Sequence, residues 1–265
     1  MSLTNKKVKD TYLGVIKTTD NTGLGFTIKQ LKSGSGSDSC MYLSDTILKI
    51  QPTRSTGTAD NVNVFQVATE SDTNVFKVDT VNQLVYGSGN ILNTQYANFG
   101  IGSAGAAQFD DDTHHALVFG GGGYGGSADP PNFGTGTDPA TTFTASNTVH
   151  YKAGDITSSL WYIHDDISID AIKSIEGADA ATGDTTRMHL FSYDFTSGAS
   201  NCLTNGTLLA HNSDVTNAGS EQPYLSSWTV DSAAVVAGKV ILAFFKSDSI
   251  NSDYSVTVQI KYHLT

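Results

Sequence analysis

Tyr254-Ser255-Val256-Thr257-Val258-Gln259-Ile260-Lys261-Tyr262-His263-Leu264 is the stretch whose reading decides the fold. Val256, Val258, Ile260, Tyr262 and Leu264 alternate with Ser255, Thr257, Gln259, Lys261 and His263. Successive side chains of a strand project to opposite faces, so this period of two describes a strand with one face in a core. Val258 and Ile260 are expected to be buried, and Thr257 and Gln259 to face the other way. Towards the N-terminus, Ala234–Phe245 is a strongly apolar run broken by Gly238. Arg187–Phe195 carries Met188, Leu190 and, less regularly, Tyr193, while Ile167–Ile175 and Trp161-Tyr162-Ile163 also read as strands. Strands recurring at intervals of roughly 10–20 residues predict an antiparallel two-sheet sandwich of jelly-roll type over residues 140–265.

Upstream, residues 100–139 are poor in aliphatics and crowded with Gly, Asp, Pro and Thr. Ala116–Phe119 reads as a short strand inside an otherwise long loop, of the sort that marks a linker or a functional surface. In residues 61–99, Asn63-Val64-Phe65-Gln66-Val67 recurs as Asn74-Val75-Phe76-Lys77-Val78, with Gln83–Tyr86 continuing the pattern. Short β-branched and aromatic runs between turn residues predict a meander, or a stack shared between chains. Residues 1–60 hold a Gly/Ser turn at Ser33–Ser39 and a strand-like Met41–Ile50, and read as an attachment arm. The expected fold is all-β: an arm, a short-strand repeat segment, a Gly/Asp/Pro-rich region and a C-terminal sandwich.

Composition agrees. Only 15% of the 265 residues are charged, and Gly, Ser, Thr, Asn and Asp disfavour helix interiors. A formal net charge of −11, with Lys6, Lys7 and Lys9 the densest basic stretch, argues against a nucleic-acid surface. Cys40 and Cys202 lie far apart in no CxxC-type arrangement and read as unlinked thiols. No apolar run approaches the ~20 residues of a spanning helix, and no apolar leader follows Met1. The sequence-level expectation is a soluble protein with no membrane partner.

The motifs that resemble chemistry weaken on inspection. Asp110-Asp111-Asp112-Thr113-His114-His115 mixes carboxylates that suit Ca²⁺ with imidazoles that suit transition metals. Adjacent histidines on a strand point to opposite faces, so the stretch reads as an acidic turn. Gly121, Gly123 and Gly126 satisfy GxGxxG after a strand, but Pro130 and Pro131 follow where a phosphate-binding helix would have to run. His164-Asp165-Asp166 reads as a charged turn between strands, and no GxSxG elbow exists. Trp161 and Trp228 suit either a core or a carbohydrate platform, and Phe244 suits a core. No catalytic, cofactor-binding or metal-binding residue is assigned, and no cofactor is expected.

Several stretches, in order, carry a resemblance: Ser2–Tyr12 (SLTNKKVKDTY), Asn74–Asp79 (NVFKVD), Asp166–Asp170 (DISID), Glu176–Met188 (EGADAATGDTTRM), Asn217–Glu221 (NAGSE), Ala237–Ala243 (AGKVILA) and Ile250–Leu264 (INSDYSVTVQIKYHL). With them the chain resembles virion-associated proteins of marine tailed bacteriophages. The C-terminal part is similar to the trimeric jelly-roll modules of phage cement proteins and fibre tips. The resemblance implies a non-enzymatic homotrimer on the particle surface, made in the host cytoplasm, with the major capsid protein or tail and portal components as neighbours. Two roles follow: capsid decoration, or a tail fibre or receptor-binding protein touching a host-surface glycan. A glycan-cleaving tailspike would need a long β-helix with paired acids, for which the repeat segment is too short.

Overall fold

The computed structural model describes residues 17–18, 26–32, 38–44, 48–50, 65–68, 74–81, 84–87, 90–91, 94–104, 109–122, 129–179, 182–219, 222–249 and 253–265. The fold is all-β: the described elements are strands apart from one helical turn, α1 (Ala153–Thr157). The chain divides into Met1–Leu92 and Asn93–Thr265.

The first unit contains two antiparallel meanders, each four strands long in chain order. One is β1 (Lys17–Thr18), β2 (Lys29–Lys32), β3 (Asp38–Leu43) and β4 (Leu48–Ile50). The other is β5 (Phe65–Ala68), β6 (Asn74–Asp79), β7 (Leu84–Gly87) and β8 (Asn90–Ile91), so the described part of the first repeat, from Phe65, and the whole second repeat lie on neighbouring strands of a meander. The turn after β6 is held by Asp79, whose Oδ1 accepts a hydrogen bond from the Val81 amide at 3.0 Å. The two ends of the arm and residues 33–37 of its Gly/Ser turn lie outside the described residues.

The second unit is a sandwich. Its first sheet runs β11 (Val118–Phe119), β9 (Thr94–Ala104), β21 (Asp253–Leu264), β13 (Ile167–Asp179), β17 (Tyr224–Ser227), with β19 (Ala234–Val235) also pairing with β13. The second runs β10 (His115–Ala116), β20 (Lys239–Ser247), β14 (Thr185–Phe195), β15 (Leu203–His211), β18 (Thr229–Val230). To it are added β12 (Trp161–Tyr162) beside β20 and β16 (Val215–Thr216) beside β14. β13 and β14 lie in opposite sheets, as do β20 and β21, so the chain changes layer between consecutive long strands. β21 behaves as its alternation requires: Val256, Val258 and Ile260 are buried, while Thr257 and Gln259 are exposed. The pattern ends at His263, buried on the opposite face because its Nδ1 lies 2.8 Å from Asp170 Oδ1 beside an irregularity in β13.

The centre of the second sheet, β20 with the middle of β14, is buried on both faces. In β20, Ile241, Ala243 and Phe245 enter the core between the sheets, beside Met188, Leu190, Phe99, Val258 and Ile260. Val240, Leu242 and Phe244 enter a second core with Phe191, Tyr193 and Leu203. That outer core is closed by the Gly/Asp/Pro-rich stretch itself, through Phe133, Phe143, Ile156 and Tyr151. Phe133 stacks on Phe143 at 5.1 Å and meets the Phe244 ring edge-on at 4.6 Å. A continuous apolar run in a strand is the signature of cover on both sides, and here the cover is irregular chain.

Three expectations are corrected. Residues 109–122 and 129–139 are not a long surface loop: they carry β10, β11 and a covering layer whose Phe133 is 2% exposed. The sandwich begins at residue 94, not 140, because β9 pairs with the central β21 along most of its length. Tyr193 also belongs to the outer core with Phe191, not to the face of Met188 and Leu190. The covering layer fits closely because Gly206 has no side chain: a Cβ there would sit 2.7 Å from Thr141 Cα and 2.6 Å from the Tyr193 ring.

A chain starting at residue 93 is expected to unfold cooperatively, while one starting at 140 lacks β9 and the Phe133 cover and is expected to show no cooperative transition. Circular dichroism melts of the two decide the point.

Candidate functional site

The Asp110–His115 stretch divides between water and core. Asp110, Asp111 and Asp112 are exposed, with Asp112 at φ +52°, a left-handed turn position that aspartate tolerates better than most residues. His114 and His115 are buried and reach different partners. His114 Nε2 donates to the Gly136 carbonyl at 3.1 Å, and its ring meets His189 at 5.0 Å. His115 Nε2 accepts from the Asp110 amide at 2.9 Å, which places its proton on Nδ1, donating to the Pro130 carbonyl at 3.1 Å. His150 Nδ1 reaches the same carbonyl at 2.9 Å. These imidazoles satisfy carbonyls that the irregular covering layer cannot pair within a sheet.

His189, His150 and Asp138 were not singled out from sequence. His189 sits inside the apolar run of β14, and neither ring nitrogen has a hydrogen-bond partner, although Asp138 Oδ1 lies 3.3 Å from Nε2. A polar residue interrupting a run buried on both faces is the signal that would have found it. Among the described residues, no group of three or more His, Cys, Asp or Glu side chains converges as metal ligands do. Of the glycine motif, Gly121 is described, in a run of positive φ from Gly120 to Gly122, and Gly123 and Gly126 lie outside the described residues. Asp166 ties a turn, its Oδ1 accepting from the Ala237 amide at 2.8 Å. Trp161 and Trp228 both belong to the inner core, with Trp228 Nε1 donating to Ser174 Oγ at 2.9 Å. Cys202 is a buried free thiol.

The first unit exposes an apolar surface. Cross-strand registers place Phe65, Val78 and Val85 in one row and Val67 and Phe76 in the next, all on one face of the second meander. Phe65 and Phe76 meet edge-on at 5.9 Å, yet Phe65 is 39% exposed and Val67 50%. The opposite face carries Lys77 stacked on Tyr86, with Nζ 4.3 Å from the ring centroid. Among the described residues this apolar sheet face is therefore partly exposed to water.

No family model matches the chain, and no curated protein matches it. Among solved structures, the Eiger TNF of S. frugiperda is similar at a TM-score of 0.27 and 8% identity, over 65% of this chain and 94% of that one. A likeness of that degree carries no argument.

Burial lowers His114 and His115 from 6.5 to about 4 and His189 to about 3, the last helped by the neighbouring His114 and Arg187 charges. Between pH 6.5 and about 4 the unfolded chain binds protons at these sites and the folded chain does not, so stability falls with pH across that window. Glu176 works in the opposite sense, since burial raises its carboxyl and its contribution is lost as pH rises above 4.5. The urea midpoint is expected to drop from pH 7 to 4, and less steeply in His189→Leu. A flat profile, or an unchanged slope in the variant, contradicts this.

Proposed function

We propose that this chain is a non-enzymatic structural protein of a bacteriophage particle, working as a homotrimer that decorates the capsid. The observation that supports assembly is the open apolar face of Phe65, Val67, Phe76, Val78 and Val85. Among the described residues these four short strands are not covered by a second layer, and copies around a common axis would cover them with one repeated interface. The number three and the particle come from the resemblance to phage cement and fibre-tip modules. A sandwich whose two stacked cores hold most of its aromatic residues suits a rigid surface module, and acidity of −11 keeps such a surface from unspecific adhesion. The major capsid protein is the neighbour this role requires.

A tail-fibre or receptor-binding role is the second reading, favoured by exposed aromatics on the sandwich such as Tyr96 and Tyr162. Quantitative mass spectrometry of purified particles separates the two: the resemblance implies many copies per particle for a decoration protein and few for a fibre. Absence from particles contradicts both. Phe65→Ser with Phe76→Ser is expected to dissociate the oligomer in light scattering while leaving the sandwich melt unchanged.

A further inference from the structure

At one end of the sandwich a cleft of ≈ 220 Å³ opens between β12, the turn into β13 and the end of β21. Its walls are apolar and aromatic: Trp161, Tyr162, Tyr262 and Leu264. Ile163 and Ile167 lie at its base, and three polar side chains, Gln95, His164 and Asp165, complete the lining. Trp161 meets Tyr262 edge-on at 5.0 Å and is backed by Phe119, stacked at 5.7 Å with the rings 6° from parallel. Tyr162 is 46% exposed, and its ring meets His164 at 4.9 Å. Tyr262 Oη donates to Gln95 Oε1 at 2.9 Å, which orients the amide and leaves its NH₂ group unused by that bond.

We infer that this cleft binds a single neutral sugar ring, its C–H face lying on Tyr162 and its hydroxyls meeting Asp165, His164 and Gln95. Size comes first: the volume falls below the ~300–1,000 Å³ of sites for drug-sized ligands, so a nucleotide or extended cofactor does not fit. Charge comes next. No Lys or Arg lines the cleft, which removes phosphate and carboxylate ligands, and one carboxylate with one imidazole is a poor set for a hard cation. An aromatic face beside a few hydrogen-bonding groups suits a ligand that is apolar on one side and rich in hydroxyls at its edge. Asp165 is the sole carboxylate of the lining, so the cleft has an acceptor for hydroxyls but not the acid pair of a glycosidase.

The walls are held before any ligand arrives. Trp161 and Tyr162 pair with Ile241 and Val240 of β20, and the Ile163 amide donates to the Lys239 carbonyl at 2.9 Å. The Asp166 carbonyl accepts from the Thr265 amide at 3.0 Å, fixing the far side of the turn. Another cleft of the sandwich differs: across it Arg187 faces Asp214 at 3.3 Å, Lys246 faces Asp112 at 3.6 Å, and Asp248 accepts from the Thr185 amide at 2.7 Å, so its charged groups are engaged with the protein itself. The sugar site depends on neither a head nor a tail location.

Saturation-transfer NMR of the full chain with methyl glycosides of glucose, galactose, mannose and N-acetylglucosamine tests the site. At least one is expected to receive saturation at its ring protons, with affinity on the order of millimolar and a change in Trp161 fluorescence. Tyr162→Ala and Asp165→Asn are each expected to weaken binding about tenfold, with the thermal melt unchanged. No transfer to any of the four, or transfer undiminished in both variants, overturns the inference. Neither result touches the mass of the oligomer.

Discussion

The sandwich depends on the two-sided burial of β20. From Val240 to Phe245 no residue is more than 1% exposed, with alternate side chains entering different cores. Leaving one face open would put Val240, Leu242 and Phe244 in water, at a cost of about 1.5–3 kcal/mol each. The chain therefore brings Phe133, Phe143 and Ile156 over the outside, on backbone that forms little sheet. Irregular cover brings unpaired carbonyls, and buried carbonyls need donors. His114, His115 and His150 are those donors, and Tyr193 joins them by donating to the Ala140 carbonyl at 2.8 Å. The histidines that look like a metal motif in the sequence are the polar fastening of an apolar layer.

The strands with one wet face were legible. Val256, Val258 and Ile260 alternate with Ser255, Thr257 and Gln259, and nothing competes with that pattern. β9 was missed, although Ala97, Phe99 and Ile101 face inward between exposed Tyr96, Asn98 and Gly102. Its small and amide side chains carry little β-propensity, and pairing with the central β21 overrides that local preference. The covering layer was missed for another reason. Prolines and glycines announce irregular backbone, and irregular backbone is usually on the surface. The clue lay elsewhere, in a β20 run too apolar to have a solvent face. The cleft could not be read at all, because Gln95, Asp165 and Tyr262 are brought together by sheet pairing across the whole unit.

The two units solve the same problem differently. The sandwich covers every apolar sheet face that forms its cores with its own chain. The second meander leaves Phe65, Val67 and Val85 partly in water, whereas the exposed apolar pair of the sandwich, Ile175 and Leu225, lies on the outside of a sheet whose inner face is already packed in a core. That contrast is the physical root of the assembly proposal, and it concerns the need for a partner more than the partner's identity. The sugar cleft stands apart, a feature of the sandwich alone.

Sedimentation equilibrium of the full-length chain tests assembly most directly. The account predicts a single species of three times 28.0 kDa at micromolar concentration. A stable species of 28.0 kDa under the same conditions contradicts it.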